Sequence, residues 1–219
     1  MEKSDKPYVI LSAAMSIDGK IATKKGDSKF SSDHDLIRLH KLRSKVDGIL
    51  IGKNTLLQDD PLLTVRHARG KNPIRIILDS KGQIPLKSNI MQTSKQVPTI
   101  IVVSKKISKT NLERLQKLPV DVIITGEKSV NIKSLLKKLS DKNIATLLVE
   151  GGGSTHWEFV RQNLFDELII TLSPFLIGGN NATSFIQGNG FDRISKSPNL
   201  RLKSVKKLKS HLVLNYEKV

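Results

Sequence analysis

Short runs rich in Val, Ile and Leu recur along the chain at Tyr8–Ala14, Gly48–Ile51, Ile74–Leu78, Thr99–Val103, Val120–Thr125, Ala145–Val149 and Glu167–Leu172. Segments of helical period separate several of them: Asp33–Lys45 behind the caps Ser31 and Ser32, Asn111–Leu118 behind Thr110, Ile132–Leu139 behind Asn131, and Thr155–Gln162 behind Ser154. Ile132, Leu135, Leu136 and Leu139 fall on one helical stripe. Strands alternating with helices predict an α/β fold, a mainly parallel sheet covered by helices on both faces. After Pro174 the rhythm changes: Gly178–Asn181 reads as a loop, and Leu200–Lys207 with Leu212–Tyr216 as a closing antiparallel pair. With no linker, repeat or shift in composition, one domain over 1–219 is expected, with a core of about 8–216.

Composition narrows the function classes. The 219 residues are 38% hydrophobic and 26% charged, ordinary globular usage, which excludes a disordered tail protein. Zero cysteines exclude disulfides, thiolate metal sites and a cysteine nucleophile, and fit a reducing compartment. No apolar run reaches membrane-spanning length, so a soluble, cytoplasmic protein without a membrane partner is expected. A formal charge of +17 asks for an anionic partner. Nucleic acid is one class, but aromatics make up only 4% of the chain, leaving few stacking platforms, and no nucleic-acid-binding motif stands out. No nucleic-acid partner is therefore expected.

The strongest chemical signal is Glu150–Gly151–Gly152–Gly153–Ser154–Thr155, between an apolar strand and a helix carrying Trp157 and Phe159. Glycines admit close approach of a phosphate, and the unpaired amides of a helix start favour anionic oxygens. The run is neither a dinucleotide fingerprint, since His156 holds the next glycine position, nor a P-loop, and spacing alone leaves a tight structural turn equally open. A second strand ends at Gly52–Lys53–Asn54–Thr55, where Thr55 could cap a short helix that Pro61 ends. Asp59 would not stand against a phosphate; its roles are to fix sugar hydroxyls, amides or a carboxamide. Arg43 and Arg66 could clamp a phosphate monoester, though Arg43 could equally cap its own helix, and Ser28 sits in a polar loop able to close over a ligand.

In order, Met15–Ala22, Gly26–Ser28, Arg43, Gly52–Thr55, Asp59–Arg66, Asp79–Ser80, Glu150–Gly153, Pro174 and Gly178–Gly179 resemble the reductase family of riboflavin biosynthesis. The likeness runs from Tyr8 to Tyr216 and is closest to the stand-alone archaeal members, which reduce 2,5-diamino-6-(ribosylamino)-4(3H)-pyrimidinone 5′-phosphate. It implies a dihydrofolate-reductase-like three-layer αβα fold with an antiparallel C-terminal strand, NADPH as hydride donor with NADH as an alternative, and a homodimer. By position, Thr55, Asp59, Ser80, Gly151, Gly152, Gly153 and Ser154 match cofactor contacts, and Ser28, Arg43, Arg66 and Glu150 match substrate contacts. Glu150 is the first candidate for orienting substrate or relaying a proton, with Asp59 as a second catalytic candidate. The fused bacterial members carry a strand lysine where this chain has Ser12, so no mechanism through such a lysine is implied. They also carry a zinc deaminase, whose cysteines this chain lacks, so no deaminase domain is expected. The resemblance leaves three rivals: reduction of the deaminated uracil counterpart, a dihydrofolate or pteridine-type reductase, and a basic nucleic-acid-binding protein.

Overall fold

A computed structural model describes residues 5–219. In chain order the strands are β1 (Tyr8–Ser16), β2 (Lys20–Ala22), β3 (Gly48–Gly52), β4 (Ile74–Leu78), β5 (Thr99–Val103), β6 (Asp121–Ile124), β7 (Thr146–Gly151), β8 (Glu167–Ser173), β9 (Thr183–Ser184), β10 (Leu200–Leu208) and β11 (His211–Lys218). The helices are α1 (Asp33–Arg43), α2 (Lys53–Asp59), α3 (Asn89–Gln92), α4 (Lys109–Gln116), α5 (Ile132–Asp141) and α6 (Gly153–Arg161).

Nine strands form one sheet in the order β10-β11-β8-β1-β7-β3-β4-β5-β6. The seven strands from β8 to β6 pair in parallel, and β11 joins β8 antiparallel before turning back into β10, as the sequence pattern predicts. Because β7 inserts between β1 and β3, chain direction across the sheet reverses there. The strand ends at such a reversal open a crevice, where ligands of open α/β sheets bind. A separate two-stranded ribbon pairs β2 with β9.

Alternate strand residues fill two cores. Leu50, Ile76, Ile100, Leu147 and Val149 meet Leu135, Leu136 and Leu139 of α5 and Phe159 of α6 on one face. Ile49, Ile51, Ile77, Ile101 and Leu148 meet Leu56 of α2, Ile90 of α3 and Leu115 of α4 on the other. The central strands are apolar in both directions because both faces are covered, giving the three expected layers.

Local boundaries differ in ways that bear on the site. Gly52, not Thr55, is the N-cap of α2, so Thr55 is its third residue. Likewise α6 starts at Gly153 behind Gly152, displacing Ser154 from the cap, and Gly151 still belongs to β7. Ser108 rather than Thr110 caps α4, its side chain accepting from the Asn111 amide. The strand β2–β9 ribbon and the short α3 have no counterpart in the sequence reading. Among the described residues no helix is long and apolar enough to cross a membrane.

Candidate active site

The strand-to-helix passages β3–α2 and β7–α6 lie side by side and repeat one another. Gly52–Lys53–Asn54–Thr55 and Gly152–Gly153–Ser154–Thr155 both read Gly-x-x-Thr, one hundred positions apart. Each threonine sits against the other passage's glycine: a Cβ on Gly52 would stand 2.5 Å from Thr155 Oγ1, and one on Gly152 would stand 2.9 Å from Thr55 Oγ1. Gly152 also holds φ +58, in the left-handed region. Neither helix has a side-chain cap, so two sets of first-turn amides are left for a ligand or water. This repeat was readable in the sequence, but it means something only once the two strands are known to be neighbours.

Two cavities meet at this point. The larger, about 470 Å³, is lined by both glycine turns, by Asp79, Ser80, Lys81 and Gln83 beyond β4, and by Gln187. The smaller, about 160 Å³, is lined by Ser12 and Ala14 of β1, Ser28, Ser31, Asp35, Arg38, Asp59 and Glu150. Thr55, Gln58, Gly152 and Thr183 line both, so the cavities are two compartments of one cleft. In the larger, the oxygens of Asp79 accept the Lys81 and Gln83 amides, and Lys53 stands 3.9 Å away. Ser80 Oγ accepts the Val130 amide at 3.2 Å, so this cavity-lining hydroxyl also pins the 130 segment.

The predicted residues divide accordingly. Thr55, Ser80, Gly152, Gly153 and Ser154 line the larger compartment; Ser28, Asp59 and Glu150 line the smaller. Ser28 Oγ donates to Asp59 Oδ1 at 3.1 Å. Burial pushes the Asp59 carboxyl above the ordinary carboxylate value, and the Ser28 hydrogen bond opposes that rise. Arg43 lies behind the wall, 7% exposed, with Nε 2.7 Å from Glu150 Oε1, Nη2 2.6 Å from Oε2, and Nη1 donating to the Thr64 carbonyl. Burial works against its charge, but the Glu150 attraction and hydrogen bonds overcome it and raise its pKa. Arg43 therefore does not cap α1; Ser44 ends that helix. Arg66 lines neither compartment: its guanidinium donates to Thr64 Oγ1, and its amide to buried His40 Nδ1 at 2.8 Å.

Sequence reasoning missed Asp35, Arg38 and Gln58 as wall residues. An Asp in the first turn of a helix is ordinary complementarity to the helix dipole, so Asp35 gave no signal of its own.

The nearly parallel sheet, the crevice at its reversal and the two-compartment cleft define an α/β protein with a candidate ligand-binding cleft. The RibD C-terminal domain model matches residues 7–214. A 2,5-diamino-6-ribosylamino-4(3H)-pyrimidinone 5′-phosphate reductase of Aquifex aeolicus is 40% identical over 205 residues, 91% of each chain. The protein of the same name from Methanothermobacter thermautotrophicus is 36% identical, covering 96% of this chain and 98% of its own. Among solved structures, RibD of Acinetobacter baumannii superposes with a TM-score of 0.85 at 24% identity, over 99% of this chain but 59% of that longer one. The Saccharomyces riboflavin biosynthesis reductase Rib7 superposes with a TM-score of 0.77 at 26% identity, over 100% of this chain and 93% of its own. Dihydrofolate reductase of Enterococcus faecalis shares the fold alone, with a TM-score of 0.57 at 13% identity over 96% of both chains. The chain belongs to the RibD C-terminal domain family, and its fold is dihydrofolate-reductase-like.

Proposed function

We propose that the protein reduces 2,5-diamino-6-(ribosylamino)-4(3H)-pyrimidinone 5′-phosphate to its ribitylamino product, with NADPH as reductant. The observation that carries this reading is the convergence of two uncapped helix starts on the larger compartment, joined through Thr55, Gln58, Gly152 and Thr183 to a compartment walled by carboxyl groups. The names of the relatives at 40% and 36% identity supply the substrate.

The residues present fit a nicotinamide dinucleotide. First-turn amides of α2 and α6 suit a pyrophosphate. Lys53 and Lys81 in the same wall suit the additional phosphate of NADPH over NADH. Bound there, NADPH supplies a hydride.

The ribosylamine opens to an imine at C1′; hydride adds at that carbon, the C=N π pair moves to nitrogen, and nitrogen takes a proton. Asp59 is the better proton donor of the two carboxyl groups, because burial favours its neutral form and it lines the substrate compartment. Glu150 has both oxygens occupied by Arg43, so its role is to hold the wall beside Gly151–Gly152 and orient the substrate. Arg66, exposed at the surface, is left to meet the 5′-phosphate. The enzyme works in the cytoplasm as a homodimer, for which β10, exposing Leu202 and Val205 at the end of the sheet, offers an edge.

An NADPH-oxidation assay tests the reading. Turnover of the ribosylaminopyrimidine phosphate without turnover of dihydrofolate is expected; the reverse pattern overturns it.

A further inference from the structure

The smaller compartment has no spare positive charge for a phosphate, since Arg38 in its wall is already paired with Asp35. Three carboxyl-bearing residues, Asp35, Asp59 and Glu150, line it, against one arginine, Arg38. Such a wall suits a ligand edge that donates hydrogen bonds.

Asp35 is the most deeply set of the three, 1% exposed in the first turn of α1. Its Oδ1 accepts from Arg38 Nε at 2.7 Å and from Thr171 Oγ1 of β8 at 2.7 Å, and Arg38 Nη2 donates back to Thr171 Oγ1 at 3.2 Å. Among the described residues its Oδ2 accepts only from Ser31 Oγ, at 2.7 Å, so acceptor capacity remains on that oxygen. The carboxyl group is thus locked in orientation from one side and under-used on the other.

A second, independent observation lies on the neighbouring strand. Ser12 Oγ is buried, in a residue 2% exposed, and has no hydrogen-bond partner among the described residues, although Ser12 lines the same compartment. A native structure rarely leaves a buried hydroxyl unpaired, and the cost falls away when a ligand supplies the partner. Ser12 and Ala14 point to one face of β1, and their small side chains leave room there for a flat ring.

We propose that Asp35, oriented by Arg38, Thr171 and Ser31, together with the Ser12 hydroxyl, reads the 2-amino/N3–H edge of the pyrimidinone and so selects the diamino substrate over its deaminated counterpart. The inference rests on the proposed reductase function and names the specificity group within that site. The diamino ring presents two adjacent donors, a 2-amino group and N3–H, which a carboxylate accepts. The deaminated ring replaces the 2-amino group with a carbonyl oxygen, setting acceptor against acceptor. A site built to accept a hydrogen bond rejects the analogue lacking that donor by large factors, because its own buried group is left unpaired.

The test compares kcat/KM for the diamino and deaminated phosphates in wild type and in Asp35→Asn. Wild type is expected to prefer the diamino compound by about 100-fold or more. Arg38 Nε requires an acceptor, so the new amide places its oxygen there and its NH₂ toward Ser31 and the compartment. That reversal lowers kcat/KM for the diamino compound at least about tenfold and shrinks the preference, with NADPH affinity unchanged. If both substrates fall by the same factor, Asp35 merely ties α1 to β8 and the inference is overturned; equal wild-type turnover of the two substrates overturns it without any variant, even if Asp35→Asn does not fold. Failure of wild type to oxidise NADPH with either substrate would instead bring down the reductase function itself.

Discussion

Arg43 and Glu150, 107 residues apart, meet in a two-pronged ion pair with both side chains about one-tenth exposed. The pair fastens the end of α1 to the end of β7, immediately before the glycine turn. Removing one partner strands a buried charge, which costs far more than the net worth of the pair. Glu150→Gln should therefore lower stability by about 2–4 kcal/mol, measured by urea unfolding, in addition to lowering turnover. A variant with unchanged stability would mean that the pair opens to solvent without loss.

Asp59 should respond differently. Asp59→Asn keeps the shape of the side chain and removes its proton, so kcat should drop by about 100-fold or more with stability nearly unchanged. Ser28→Ala removes the hydrogen bond that lowers the Asp59 pKa, so that pKa rises further. If Asp59 donates the proton, activity declines as pH climbs through its pKa, and Ser28→Ala moves that alkaline limb upward. A limb that stays put, or moves down, would remove Asp59 from proton delivery.

His40 makes stability sensitive to acid. Burial first, then the charges of Arg43, Arg66 and His67, hold its pKa down at about 4, against an ordinary value near 6.5. The unfolded chain therefore binds this proton first as pH falls. The contribution is complete above about 6.5 and is lost progressively toward about 4, by roughly 3 kcal/mol. Protonation at Nδ1 also breaks the bond from the Arg66 amide. His40→Gln should flatten the pH dependence of the urea midpoint between pH 7 and 4.5 relative to wild type.

Gly153 tests the cofactor compartment. A Cβ there would run into the Ser184 carbonyl oxygen and stand 2.8 Å from Gln187 Cβ, so Gly153→Ala should push residues 183–187 away from α6. NADPH affinity, measured by fluorescence titration, should fall about tenfold or more while α6 remains folded; an unchanged Kd would place the dinucleotide elsewhere.

What the sequence made legible was local. The stripe Ile132, Leu135, Leu136 and Leu139 needed only helical spacing to be read, and all four side chains are buried. The glycine turn after β7 was visible because strand, glycines and helix are contiguous. Thr55 was misplaced as a cap because capping preference favours Thr, whereas Gly52 took that place where Thr155 leaves no room for a side chain. The two-residue β9 carries too little pattern to announce itself. Arg43 looked like a phosphate clamp because nothing near it in sequence shows that Glu150 will fill its fork. Ser28 and Asp59 were each proposed singly, and only the fold shows that they touch.

The β2–β9 ribbon pairs Lys20 with Ser184 and Ala22 with Thr183, and Thr183 lines both compartments. The wall common to both pockets is thus stitched from segments about 160 residues apart in the chain. A nascent chain that has emerged only as far as α6 already holds both Gly-x-x-Thr turns, yet has no closed cleft. Competence to bind is accordingly a late event in folding, and ligand protection should report completion of the fold rather than formation of its central strands.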